Sequence, residues 1–476
     1  VLKKSISATE IGEKKQLQFV KADMNLTLDL NQNTITAEAG EAIAINAANI
    51  TLTVKNGTIE NFAEGNYSDG VYAYKESNNL TLTFENIVLK SRTQGLAVQG
   101  LTSNSNVNIV NSKITSAEEL GIYYPPKSGT LTISDSEITG VTGIVVKGSN
   151  LVVKGEKTII SGTGPNVDPE TYYTGATDGS STLTETGDAL YIESGYNDRD
   201  ISVSISGGHL NSKSAKAVRM FVKNGENTSA KREISVTGGT FSSDVSAYVA
   251  EGYVQNENGT VEQLGETNAV AKVGNTYYKT LADAVSVADN NTVTLLKNVV
   301  LNSTLTLNKN MTLDLNGCEI SNGSTMGTDY LVSIAANADV SIVGNKENSK
   351  ISDSRSNAQG TITAVVVYGK LTVAGDNLTI SRGANGIAIK VEDNPGTLIV
   401  NGGTITVDKP TQTSSQAIQN WGNATINGGV FNGDVDSYAY IAANKNYVGN
   451  MTIENGIFNG EVFAAQLQYT NQWTTA

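Results

Sequence analysis

A chain of 476 residues with net charge −14, 33 Lys and Arg against 47 Asp and Glu, has no basic surface to offer nucleic acid or an anionic membrane. One cysteine, Cys318, excludes an internal disulfide, and one histidine, His209, leaves histidine-based catalysis and metal clusters almost no material. The 39% hydrophobic content, 47 Gly and 6 Pro describe a β-rich, turn-rich chain with enough apolar material for an elongated core, and no run of about 18 apolar residues that would span a membrane.

Residues 1–23 are a polar lead-in, and Val1 reads as the start of a mature or trimmed chain with no signal peptide in view. From about Met24 to Ile160 one pattern recurs: apolar, any, apolar, any, a turn residue, two of any kind, apolar. Leu52, Val54, Asn56 and Ile59 fit it, as do Leu82, Phe84, Asn86 and Leu89, then Val107, Ile109, Asn111 and Ile114, and Leu131, Ile133, Asp135 and Ile138. Alternating apolar residues describe a strand with one buried face, and Asn, Asp or Gly after it tolerates a left-handed bend. The pattern returns at Val203–Leu210, Leu313–Ile320, Leu398–Ile405 and Met451–Phe458, at spacings mostly of 24 to 31 residues. That period is too short for a globular domain and right for one coil of a solenoid stacked at roughly 4.8 Å. Parallel stacking predicts an asparagine ladder through Asn56, Asn86 and Asn111. The leucine-rich repeat needs a shorter fixed period and an LxxLxLxxN consensus, which is absent. The expected fold is all-β, a right-handed parallel β-helix.

Two stretches interrupt the rhythm. Residues 163–187, polar and rich in Gly, Ser and Thr, read as a long loop projecting from the stack, with a further insertion near 224–232. The break at 250–292 reads as a domain boundary, giving a first module over 1–264 and a second over 265–476. Within the break, Thr280 and Asp283 form a capping box, and Leu281, Ala284, Val285 and Ala288 make an apolar stripe, predicting a short helix over 280–288 that caps an open stack. NLTLDLNQNTIT (25–36) echoes NMTLDLNGCEIS (310–321), and GGTFSSDVSAY (238–248) echoes GGVFNGDVDSY (428–438), as in a duplication.

VGNTYYKTLADAV, VTLLKNVVL, MTLDLNGCEIS and GGTFSSDVSAYVAEGY resemble the repeat modules of large surface proteins of gut-dwelling bacteria, within the pectate-lyase-like β-helix superfamily. The resemblance is close over 269–321 and 234–253 and follows the general pattern between; the N-terminal lead-in lacks the YYxTLADAV segment. It implies a secreted or cell-surface location and modular construction. It implies no particular activity, adhesion being the usual guess for such modules.

A polysaccharide lyase of that superfamily would need carboxylates for calcium and an Arg or Lys base. The nearest assembly is Asp198, Arg199 and Asp200, although a charged turn between strands gives the same string. A glycosidase would need paired carboxylates from neighbouring coils; Asp135 with Glu137, Glu118 with Glu119, and Asp168 with Glu170 are available. Cys318 reads as a small packed residue. Tyr123 and Tyr124, preceding Pro125 and Pro126, read as sitting on a stiff loop outside the stack, and Tyr172 and Tyr173 lie in the long insertion. Exposed tyrosines stack on sugar faces and donate a hydrogen bond, which makes these four the ligand-binding candidates.

The leading expectation is a non-enzymatic, adhesin-like surface or secreted protein that binds polysaccharide, glycan or a host ligand, or acts as a spacer. The alternative is a carbohydrate-active enzyme, lyase or glycoside hydrolase, with a lateral cleft on the first module walled by the 163–187 loop and the 188–200 turn. No cofactor is expected, calcium entering only with a lyase.

Overall fold

The computed structural model describes residues 1–10, 16–38, 40–64, 67–172, 184–193, 199–222, 230–355, 362–393, 395–408, 415–442, 445–469 and 472–475. It forms two compact units, Val1–Gln263 and Leu264–Ala476.

Each turn of unit 1 contributes a strand to three successive faces. The first face contains Asn25–Asp29, the start of Thr51–Asn61 and of Thr81–Ser91, then Ser105–Val110, Gly129–Ser134 and Ser149–Lys154. The second contains Thr34–Ala37, the far halves of the two long strands, Lys113–Ser116, Glu137–Gly140 and Ile159–Gly162. The third is an eight-stranded sheet built from Leu17–Phe19, Ile43–Ile45, Val71–Ala73, Leu96–Val98, Leu120–Tyr124, Thr142–Val146, Leu190–Glu193 and Val218–Phe221. Strand pairing is parallel from coil to coil, as successive passes of one helical path require. The fold is a right-handed parallel β-helix, nearly all β.

The alternation read from sequence becomes columns inside the stack. Leu52, Leu82, Val107, Leu131, Leu151 and Val203 lie in register on successive coils and are buried. Each such side chain is worth roughly 1.5–3 kcal/mol of apolar burial. The corner between the first two faces is set by residues with positive φ: Asn56 (61°), Asn86 (56°), Asn111 (47°) and Asp135 (48°). Their side chains form the expected ladder, Asn86 donating to Asn56 at 3.2 Å and Asn111 to Asn86 at 2.5 Å. A second ladder, not foreseen, climbs the corner before the first face, where Asn79 donates to Asn49 at 2.8 Å and Asn104 to Asn79 at 3.0 Å. Entry to the third face is a stack of glycines, Gly70, Gly95, Gly121 and Gly143. A Cβ on any of them would fall 2.4–2.5 Å from the carbonyl oxygen of the next coil.

Unit 2 repeats the scheme with sheets of nine, seven and nine strands. Its third face holds Leu305–Leu307, Tyr330–Ile334, Thr363–Val367, Ile387–Val391, Gln416–Asn420, Asp434–Ala442 and Val462–Tyr469, with Gln472–Thr475 at its far edge. The helix Leu281–Val287 starts where the capping box places it, the Thr280 side chain accepting from the Asp283 N–H. It buries Leu281, Ala284 and Val285 beside the antiparallel hairpin Ala271–Val273/Thr276–Tyr278, which opens the first face of this unit. Unit 1 closes likewise, with Thr260–Gln263 running antiparallel to Arg232–Phe241 and to Tyr253–Gln255.

Candidate functional site

On the third sheet of unit 1, Tyr72, Ala97, Tyr123, Val145, Tyr191 and Arg219 occupy one register row. Strand alternation turns this row away from the core that takes Ile122 and Tyr124. Tyr123, half-buried, packs against a satellite cluster of Leu120, Val145, Tyr191 and Phe221 that is separate from the interior. Tyr72 and Tyr74 are also half-buried, with ring centroids 4.7 Å apart.

Charged groups gather around these rings. Lys147 and Glu193, 2% and 0% exposed, pair at 3.2 Å, and the Lys147 ammonium lies 5.7 Å from the centroid of the Tyr123 ring. Asp188 is gripped by Arg219 at 2.6 and 3.0 Å and accepts from Thr186 Oγ1 and the Lys216 N–H; Arg219 also donates to Asn166 of the inserted segment. Further along, Tyr74 Oη and the Gln16 amide donate to the two oxygens of Glu41, while Thr93 Oγ1 and the Gln94 N–H donate to Asp69 Oδ1. Burial first, then the Glu41 charge, hold the Asp69 carboxyl above the ordinary range; burial, Glu185 and Asp69 do the same to Glu119. Burial and Glu193 push the Tyr191 phenol up, so it stays protonated.

The third sheet of unit 2 also turns aromatic and charged residues outward. Val366, Lys390, Gln419, Asp436 and Phe463 share a row. Just past the strand ends, Tyr368, Glu392 and Trp421 follow one another on successive coils. Lys390 and Glu392 pair at 2.6 Å near the surface, and Trp421 stacks on Tyr438 with centroids 4.7 Å apart and planes 18° from parallel. Among the described residues, no group of three or more His, Cys, Asp and Glu could hold a metal ion.

The loop expected to carry Tyr123 and Tyr124 is instead the end of the strand Leu120–Tyr124. Tyr124 is fully buried with its hydroxyl donating to the Ser105 carbonyl, and Pro125 and Pro126 are buried too. Prolines are accommodated where the strand ends because no ladder N–H is required of them there. Arg199 is also corrected: it is 2% exposed and its guanidinium donates to the Pro125 carbonyl, tying two segments together rather than facing solvent as a base. Asp200 is exposed and accepts from the Lys231 N–H at 2.8 Å. Asp198, Tyr173 and the Tyr172 side chain lie outside the described residues. Of the other acids weighed, Asp135 bends a corner, Glu137 pairs with Lys113, Glu118 pairs with Arg92, and Asp168 caps the Glu170 N–H. Lys147, Glu193, Asp69 and Asp436 were missed; for the first two a signal was present, a charge closing an apolar strand run (GIVVK, LYIE).

Residues 18–160 match the family model of the right-handed β-helix region. No curated protein matches the chain. No helix among the described residues is long and apolar enough to cross a membrane.

Proposed function

We propose that this is a non-enzymatic, adhesin-like protein, secreted or displayed on a cell surface, that binds glycan along the outer side of the third sheet of unit 1. The observation that carries the reading is the outward set of half-buried tyrosines, Tyr72, Tyr74 and Tyr123, beside hydrogen-bonding amides and carboxylates. Rings of this kind present flat apolar faces to sugars at low entropic cost, and the neighbouring polar groups take up hydroxyls. The buried ions are committed to one another, Lys147 to Glu193 and Arg219 to Asp188, which suits a rigid binding floor better than acid–base chemistry.

A carbohydrate-active enzyme is the second reading, favoured by Asp69, whose carboxyl is raised by burial as a general acid requires. A glycan array probed with the intact chain, with and without calcium, followed by product analysis of bound polysaccharides, separates the two. Binding without cleavage, weakened by Tyr72→Ala and Tyr123→Ala, supports the binding protein. New reducing or unsaturated ends, abolished by Asp69→Asn, make it an enzyme. No binding at all leaves a structural spacer.

A further inference from the structure

One buried carboxylate of unit 2 is short of a hydrogen-bond donor. Asp436 is 2% exposed and lies in register between Gln419 on one neighbouring strand and Phe463 on the other. Its Oδ2 accepts from the Gln416 side-chain amide and, at 3.3 Å, from the Tyr438 hydroxyl. Its Oδ1 is buried and accepts from no donor among the described residues. Buried carboxylates are normally supplied with donors on both oxygens, so a group in this state is matched to a donor from outside.

The surroundings define what that donor belongs to. Gln416 is already engaged, giving its amide to Asp436 and Tyr438 and accepting from Gln419 at 2.9 Å. The cation on the same row, Lys390, is paired with Glu392. The other charges acting on Asp436 are the carboxylates Asp434 and Glu461, with the Tyr438 hydroxyl beside them. This excess of carboxylates repels a uronate or sulfated chain. Half-buried Trp421, stacked on Tyr438, adds an aromatic surface that suits the apolar face of a ring.

We propose that Asp436, Gln416 and Trp421 form a saccharide-binding position of unit 2 that takes a neutral sugar, one hydroxyl donating to Asp436 Oδ1 and the sugar ring lying against Trp421. Gln419, half-buried and in register with Asp436, would have to move aside for the hydroxyl to reach Oδ1. The position is distinct from the tyrosine surface of unit 1 and rests on the binding reading above only for the class of ligand. Burial, reinforced by Asp434 and Glu461, pushes the Asp436 carboxyl up to about 6. The accepting, ionised form therefore predominates at pH 7.5 and is about a tenth of the population at pH 5, which weakens binding about ten-fold at the lower pH.

The test is calorimetric titration of the full chain with neutral cello-, manno-, galacto- and chito-oligosaccharides, and with oligogalacturonate as the acidic control. The expected result is binding of at least one neutral series, weakened about ten-fold or more by Asp436→Asn and by Trp421→Ala, and weakened again at pH 5. Trp421→Phe, which keeps a ring, retains most of it. Should Asp436→Asn not fold, as judged by circular dichroism and melting, Trp421→Ala and the wild-type pH profile still decide. The proposal is overturned if no neutral series binds, if only oligogalacturonate binds, or if Asp436→Asn binds like the wild type. Loss in Tyr123→Ala with Asp436→Asn intact would leave the unit 1 reading standing and remove this one. The reverse pattern would keep this site and remove the other.

Discussion

On the third sheet of unit 1, Lys147–Glu193 and Arg219–Asp188 neutralise each other beneath the surface. Among the described residues, the third sheet of unit 2 buries Asp436 without a cation and keeps the ion pair Lys390–Glu392 near solvent at 23% and 18% exposure. Both sheets descend from the same coil pattern, so the backbone does not dictate the difference. A buried charge persists either by finding an opposite charge or by having its pKa shifted toward the neutral form, and Lys147–Glu193 and Asp436 illustrate one solution each. The first makes a rigid floor. The second makes a site whose charge depends on its surroundings.

The largest expected effect comes from breaking the unit 1 solution. Lys147→Met leaves Glu193 buried and uncompensated, which should cost about 3–5 kcal/mol in chemical denaturation, whereas Lys147→Met with Glu193→Leu should recover most of the loss. A single variant as stable as the wild type would show that the pair is solvated and the contrast illusory. The next effect belongs to Asp436. Its folded carboxyl, at about 6, lies above the ordinary value of 3.8, so the folded state binds the extra proton. Its contribution to stability is therefore fully present below about pH 4 and lost as pH rises through 6, a change of about 3 kcal/mol. Subtracting the Asp436→Asn profile from the wild-type profile isolates it, and a flat difference from pH 4 to 7.5 would refute it. The smallest effect sharpens the comparison from the other side. Lys390→Ala, removing one half of a near-surface pair, should cost less than about 1 kcal/mol and lose even that in high salt, as thermal melts at low and high ionic strength would report.

Much of the fold was legible because its signals are local. LTVKNGTI states its own strand, corner and restart, and Asn56, Asn86 and Asn111 sit at positive φ because few other side chains tolerate it. Thr280 and Asp283 announced the helix by a three-residue spacing that the backbone respects. The candidate site was less legible because it depends on register across coils. Nothing within YYPP says which ring faces inward; parity sends Tyr124 into the core and Tyr123 to the outside. Lys147 and Glu193 are 46 residues apart in sequence, the long insertion between them, and meet only because their strands are neighbours in the third sheet. Arg199, polar and beside two aspartates in sequence, gave no hint that it would be drawn under Pro125.

The short antiparallel hairpins, at the close of unit 1 and the opening of unit 2, have a consequence for the life of the molecule in a crowded solution. A stack of near-identical parallel coils offers at its last rung a template for the next, and any chain with the same rung would extend it into a fibre. Reversing the direction of the final strand presents the wrong hydrogen-bond pattern to an incoming parallel coil. On those faces the edge is closed by chain direction rather than by charge, which leaves the lateral surfaces free to vary with whatever they bind.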